Sequence, residues 1–333
     1  MLDDRRSHIL QVLVEEYIRT GEPVSSQTIL DRSGLPVSSA TVRNDLARLE
    51  SYGFVVQPHT SAGRVPTQAG YRFYVDHCSP AQLRSATRAR IEGFFADMHS
   101  ELSKLLKETT GLLSDLAHYP AIVMGPGFGS ETILGIHLVP VAPNVVLTVT
   151  VAQSGRVNQE VVRLQRSPTA ADLMDAEDVL ERMFVGRTIK AGQDELAATG
   201  QSDVPDRVAG LVTTVAGSLA GAEMSTSDLY VGGTSQLASL WEDLANVQSI
   251  LSLLEREGEM RQILGDAPEG TSVRFGSEFN VEELDIAVVA ASYGAGESGV
   301  GRVGVLGPTR MDYRRTIRIV EQVGEGLEDR LGH

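Results

Sequence analysis

The sequence predicts a multidomain α+β protein. Its 333 residues exceed the usual size of one domain, and a hydrophobic content of 42% is enough to build buried cores. Helical periodicity dominates the first 118 residues, and strand-forming runs dominate residues 119–163 and 272–306. A mainly helical stretch separates the two strand regions, and such separated runs of strands and helices are typical of α+β folds.

Charge is distributed unevenly along the chain. The formal net charge is −15, which by itself argues against a nucleic-acid partner, because DNA binding needs Lys and Arg to neutralise phosphates. Residues 1–79 contain 8 Arg, no Lys and 9 acids, a net charge of −1, which leaves −14 for the rest. The stretch from Arg43 to Arg72 contains four Arg against Asp45 and Glu50 only. A small, locally cationic part therefore precedes an acidic body, although arginines scattered over an acidic protein would give the same totals.

Two helices are predicted at the start of the chain. The first begins at Asp4, a favourable N-cap, and ends at Gly21. The second covers Ser26–Arg32 behind an N-cap at Ser25, and Gly34 supplies its C-terminal turn.

The third predicted helix, Ser39–Tyr52, indicates the function of this region. Ser38 is its N-cap and accepts a hydrogen bond from the amide of Ala40 or Thr41. Its apolar face is narrow and consists of Val42, Leu46 and Leu49. The opposite face carries small residues and groups that contact base edges, namely Ala40, Asn44, Ala47, Arg48 and Ser51, flanked by Thr41 and Arg43.

A β-hairpin and a fourth helix follow. Phe54–Gln57 and Arg64–Val65 read as strands around a turn-rich tip at residues 58–63, and a helix is expected over Thr67–His77. This order is that of a winged helix-turn-helix, whose second motif helix enters the major groove of DNA. We therefore predict DNA contacts from Ser38, Ser39, Thr41, Arg43, Asn44 and Arg48 of the helix, and from His59, Thr60, Ser61 and Arg64 of the wing.

Four strings closely resemble the HrcA family of bacterial heat-inducible transcription repressors. They read SSATVRNDL from Ser38, PHTSAGRVPT from Pro58, GYRFYVD from Gly70 and GPTRMDY from Gly307. The resemblance implies a repressor of heat-shock chaperone genes that binds an inverted-repeat DNA operator, named CIRCE, as a homodimer. It also implies that the GroEL chaperonin keeps the repressor active, and that a GAF-like domain is split by an inserted dimerisation domain.

We therefore expect five segments along the chain. They are a DNA-binding domain at 1–79, a long linking helix at 80–118, the first part of the GAF-like domain at 119–189, the dimerisation insert at 190–268, and the second GAF-like part at 269–333. Within the insert, a stripe at helical spacing is predicted to mediate dimerisation, although an ordinary core face would show the same pattern. It consists of Leu237, Leu240, Trp241, Leu244, Val247, Leu251 and Leu254.

No catalytic constellation is recognisable. Gly294–Gly299 matches the G-x-G-x-x-G pattern of dinucleotide-binding loops, but Val300–Leu306 reads as a strand where that fingerprint requires a helix, so a hairpin loop is favoured. The single cysteine, Cys78, excludes an internal disulfide, and the seven histidines are scattered. We expect no enzyme, cofactor or metal site, and a cytoplasmic protein without a membrane partner, because no signal sequence or long apolar run occurs.

Two alternatives stay open at this point. One is a regulator whose GAF-like body senses a small molecule, and the other is an enzyme that uses the glycine loop near residues 294–299.

Overall fold

A computed structural model describes residues 2–59, 62–97, 102–199, 204–225, 228–241, 243–268, 270–279, 281, 284–294 and 300–331. These residues form helices and antiparallel sheets, which confirms a multidomain α+β protein. The predicted wing-tip residues Thr60 and Ser61 lie outside the described residues.

The N-terminal unit contains four helices and a two-stranded ribbon. In chain order these are α1 (Asp4–Thr20), α2 (Ser26–Ser33), α3 (Ser39–Ser51), β1 (Val55–Val56), β2 (Val65–Pro66) and α4 (Gln68–His77). Asp3, and not the predicted Asp4, is the N-cap of α1, because its side chain accepts a hydrogen bond from the backbone N–H of Arg6. Ser25 and Ser38 cap α2 and α3 as predicted.

A helical pair replaces the single long helix that was expected over residues 80–118. Helices α5 (Ser85–Asp97) and α6 (Leu102–Ala117) are joined by an ion pair of 2.8 Å between Arg90 and Asp115. In one straight helix these residues would lie about 37 Å apart, so the chain must fold back between them. The continuous apolar stripe was misleading because Ile91 of α5 and Leu105 of α6 both contribute to one core.

The remaining elements build two further sheets and their helices. The strands are β3 (Ala121–Met124), β4 (Ile133–Ala142), β5 (Val145–Ala152), β6 (Val157–Arg163), β7 (Leu229–Gly232), β8 (Thr271–Phe275), β9 (Ile286–Tyr293) and β10 (Gly301–Pro308). The helices are α7 (Ala170–Phe184), α8 (Ile189–Thr199), α9 (Asp206–Ser225), α10 (Leu237–Leu240), α11 (Leu244–Glu255), α12 (Glu257–Gly265) and α13 (Tyr313–Leu331).

The central sheet has the antiparallel strand order β7-β3-β10-β9-β8. Its strands β3, β9 and β10 are buried almost throughout, because helices cover both faces. One face packs on α6 and α13, and the other packs on α10, α11 and α12. The N-terminal unit shares the first of these cores.

The second sheet, β4-β5-β6, belongs to a separate core with α7, α8 and α9. This unit runs from Phe128 to Ser225 and interrupts the central sheet between β3 and β7. Its bounds differ from the predicted insert at 190–268, and only β3 of the strands expected in 119–189 joins the central sheet. The burial patterns explain why these strands form a separate sheet. Strand β5 alternates between buried and half-buried residues, as expected for a sheet covered on one face, whereas β9 is buried along most of its length, as expected for a sheet covered on both faces.

Candidate nucleic-acid interface

The start of α3 is organised by its N-cap. The Ser38 Oγ accepts a hydrogen bond from the Thr41 N–H at 3.2 Å and lies 3.0 Å from the Thr41 hydroxyl. Ser39 contacts the first turn of α2, where its hydroxyl lies 3.2 Å from that of Ser26. Arg43 also reaches this turn, since its Nε donates to the Ser26 Oγ at 3.4 Å. The predicted residues at this helix end are therefore brought together.

The two acids of α3 point away from its exposed face. The Asp45 carboxylate is buried beneath α1, where it accepts from the Nε of Arg5 at 2.8 Å and the Nε of Arg6 at 3.0 Å. Hydrogen bonding and the charge of Asp45 raise the pKa of the Arg5 guanidinium above its ordinary value. The Glu50 carboxylate pairs with the NH2 group of Arg64 at 2.9 Å.

The outward side of α3 consequently has a positive charge. Arg43, Asn44 and Arg48 are exposed, together with the small residues Ala40 and Ala47. Arg48 forms no ion pair with any residue that the structure describes. This cationic face, defined by Ala40, Arg43, Asn44, Ala47 and Arg48, matches the predicted one.

The ribbon after α3 is held against the helix core at its base. The Glu50 carboxylate accepts from the backbone N–H of Gln57 at 3.1 Å, and Arg64 exchanges two backbone hydrogen bonds of 2.9 Å with Val24. Gly63 is required here, because a Cβ at this position would lie 2.4 Å from the Val24 backbone. Arg64 therefore lies in the base of the hairpin and not at its tip, whereas His59 is exposed.

The predicted dimerisation stripe lies mostly inside its own chain. Leu237, Trp241, Val247 and Leu254 are buried in the core beneath the central sheet, and Leu240 and Leu251 pack against that core. Leu244 alone of the seven has an open side chain, which is 69% exposed.

An apolar surface occurs instead on the three-stranded sheet. Cross-strand register places Val139 beside Leu147, and Leu147 beside Val161. The neighbouring rows add valines from β5 and β6, while the opposite side of the sheet packs on α7 and α9. This outer sheet face, which sequence reasoning missed, consists of Val139, Leu147, Val149, Val151, Val157 and Val161.

The N-terminal unit is attached to the body by polar and aromatic contacts. Arg72 donates to both carboxylate oxygens of Glu278, at 2.6 and 2.8 Å, and to the carbonyl of Val273 at 2.8 Å. The ring centroids of Tyr71 and Tyr313 lie 6.2 Å apart. The strings GYRFYVD and GPTRMDY therefore meet at this junction, a role that sequence reasoning did not assign to them.

The glycine-rich segment joins two antiparallel strands. Tyr293 at the end of β9 pairs with Gly301 at the start of β10, and Gly294 has a left-handed backbone conformation. Residues 295–299 lie outside the described residues. A dinucleotide site requires a helix in the place that β10 occupies, so this geometry does not support one.

None of the helices described here combines the length and the apolar composition needed to cross a membrane.

A small unit with an exposed cationic helix, attached to a larger acidic body, is characteristic of transcription regulators.

Comparison with known proteins identifies the family. A model described as the C-terminal domain of the HrcA protein matches residues 103–317. The heat-inducible transcription repressor HrcA of Halalkalibacterium halodurans is 34% identical, over 98% of this chain and 97% of the relative. That of Frankia casuarinae is 36% identical, over 100% of this chain and 99% of the relative. The crystal structure of a hypothetical protein, 26% identical over 99% of this chain and 98% of its own, superposes with a TM-score of 0.63.

The chain belongs to the HrcA family of heat-inducible transcription repressors. Members of this family regulate transcription in the heat response, so the protein is a repressor and not an enzyme.

Proposed function

We propose that residues 1–79 form a winged helix-turn-helix that reads an inverted-repeat operator upstream of heat-shock chaperone genes. The observation that carries this proposal is the separation of charge on α3. Asp45 and Glu50 are neutralised by arginines on other elements, so Arg43 and Arg48 face solvent without an opposing carboxylate from their own helix. A helix with this property attracts the phosphates of DNA even though the whole chain is acidic.

The same face offers base recognition. Arg and Asn side chains form bidentate hydrogen bonds with guanine and adenine edges in the major groove. We assign this role to Asn44 and Arg48, because the small residues beside them let the helix approach closely. Thr41 and Arg43 lie nearer the helix N-terminus, where we expect phosphate contacts together with Ser38 and Ser39.

For the wing, the proposal differs from the sequence-based expectation at one residue. Arg64 holds the hairpin through Glu50 and Val24, so its role is to position the wing. The contact to the DNA backbone or minor groove is then left to His59 and the adjacent tip residues Thr60 and Ser61.

We also propose that the repressor is a homodimer that associates through the outer sheet face. An inverted-repeat operator requires two reading helices related by two-fold symmetry. In the outer sheet face Val139, Val157 and Val161 are exposed and the β5 side chains between them are half-buried, and apolar patches of this kind mark protein interfaces. A second copy would supply an equally apolar surface, as an isologous contact requires.

Family membership extends the proposal to a cytoplasmic regulator whose body is GAF-like and whose activity depends on the GroEL chaperonin. The five-stranded antiparallel sheet with helices on both faces supports the GAF-like assignment. A monomer with an uncovered outer sheet face would also present the kind of apolar surface that chaperones bind.

A gel-shift titration of purified protein tests DNA recognition. The probes are the inverted repeat and a scrambled duplex of equal length, each at about 50 and about 200 mM salt, where phosphate contacts lose affinity steeply. We expect preference for the repeat at both salt concentrations.

Two double variants sharpen the test. Arg43→Ala with Arg48→Ala should abolish the preference, whereas Arg84→Ala with Arg88→Ala, two exposed arginines at and just before the start of α5, should leave it intact. Equal binding of wild-type protein to both probes, or loss of preference only in the α5 variant, would refute the proposal.

A further inference from the structure

Three potential metal ligands converge where β4 meets α7. They are His137 on the strand and Glu177 and Glu181 on the helix, and one ligand atom from each lies within 4.8 Å of the others. The Nδ1 of His137 is 3.0 Å from the Oε1 of Glu177. No local sequence pattern indicates this group, because about 40 residues separate the histidine from the two acids.

The arrangement is oriented by the fold. Glu177 and Glu181 are four residues apart in α7, so their side chains project from the same face of the helix. The second carboxylate oxygen of Glu177 accepts a hydrogen bond from the backbone N–H of Leu138 at 3.0 Å. This bond holds the carboxylate against the open edge of β4, and such outer contacts are what orient ligands in metal sites.

The acids of α7 divide into two groups with different partners. Asp172 and Asp175 share an ion pair with Arg207. Within the described residues no arginine or lysine pairs with Glu177 or Glu181. Two carboxylates therefore face one imidazole without a compensating cation, and His137, which lies beside Val149 on the edge strand of the outer sheet face, is 54% exposed in the single chain.

We propose that His137, Glu177 and Glu181 bind one divalent transition-metal ion, with Zn²⁺ as the best-fitting species. One imidazole and two carboxylates supply three of the four ligands of a tetrahedral zinc ion, and a water molecule completes the set. Mg²⁺ and Ca²⁺ prefer all-oxygen ligands and fit less well. The ion braces the edge strand of the three-stranded sheet to its covering helix, and this role is independent of DNA binding.

Isothermal titration of the full chain with ZnCl₂ tests the site. We expect one ion per chain, and at least about tenfold weaker binding in His137→Ala and in Glu181→Gln. The matched control is Asp178→Asn, which removes an exposed carboxylate of the same helix outside the cluster and should bind like wild type. MgCl₂ should give no comparable heat.

A spectroscopic readout separates coordination from folding. Co²⁺ in place of Zn²⁺ should show visible absorption bands of a tetrahedral nitrogen and oxygen site, which Glu181→Gln removes while the far-ultraviolet circular dichroism stays native. Zinc binding that His137→Ala and Glu181→Gln leave unchanged would overturn the proposal, as would absence of binding to the wild-type chain.

Discussion

At the scale of single residues, the buried Asp45 carboxylate determines the charge of an exposed surface. Its side chain is 4% exposed and lies between Arg5 and Arg6 of α1. In the sequence it is an acid between Arg43 and Arg48, and its charge on the same side would weaken a DNA-binding face. Packing turns it inward, so the two neighbouring arginines remain available.

Replacing Asp45 by Asn should lower the melting temperature of the protein. The substitution removes the charge that Arg5 and Arg6 share and weakens the contact between α1 and α3. Thermal denaturation followed by circular dichroism measures the effect. Glu22→Gln, an exposed acid just after α1, serves as the control and should leave the transition in place; equal shifts in both variants would contradict this account.

The exposed residues of α3 should act on binding and not on stability. Arg48→Ala and Asn44→Ala are each expected to cost about 1–3 kcal/mol of operator binding and to relax preference at one base pair. Fluorescence anisotropy against the operator and its single-base variants measures both effects. Glu50→Gln should instead weaken binding to all duplexes equally, because it loosens the hairpin. If Arg48→Ala kept the wild-type base preference, Arg48 would not contact bases.

At the scale of elements, N-cap residues and apolar periodicity were sufficient to predict where several helices begin and end. The predicted bounds of α2 and α3 match the structure to within one residue, and their N-caps are the predicted serines. Caps and periodicity act over a few residues, so sequence contains them directly. The separation of α5 from α6 was missed because the apolar stripe continues from one helix to the other.

The cap of α7 gives an element-scale prediction. Thr169 and Asp172 form a reciprocal capping box, so Thr169→Ala should cost about 0.5–2 kcal/mol of unfolding free energy in a urea titration. The hydrogen bond from the Thr169 backbone N–H, and to a smaller extent the interaction with the Thr169 side chain, hold the pKa of the Asp172 carboxyl below its ordinary value. Its contribution is therefore present above the ordinary carboxyl pKa and is lost as pH falls through the lowered value.

Asp172→Asn should abolish this part of the pH dependence while leaving the rest of the acid transition in place. A stability profile of the variant parallel to that of wild type between neutral and acidic pH would show that the capping carboxylate contributes nothing.

At the scale of the whole molecule, two apolar surfaces differ in whether their own chain covers them. The stripe on α10 and α11 covers the central sheet of its own chain, while the outer sheet face remains open. Both patterns alternate apolar residues at regular spacing, so neither pattern alone says whether its partner lies in the same chain. Only the position of α10–α12 beneath the central sheet decides this.

Leu147→Arg should convert the proposed dimer to a monomer, because it places a charge in the middle of the outer sheet face. The matched control is Leu244→Arg, which introduces the same charge at the exposed position of the originally predicted stripe. Sedimentation velocity measures the oligomeric state of both. If Leu244→Arg dissociated the dimer and Leu147→Arg did not, the dimer interface would lie at the predicted stripe and not at the outer sheet face.

The sequence by itself determined the class of fold, the order of most elements and the family, because caps, periodicity and short strings are local properties. Tertiary structure decided which strands share a sheet, which charges cancel and which apolar faces are covered. These depend on contacts between distant residues, such as Arg72 with Glu278 and Arg6 with Asp45. Local patterns do not encode such pairings, since they form only when packing brings the elements together.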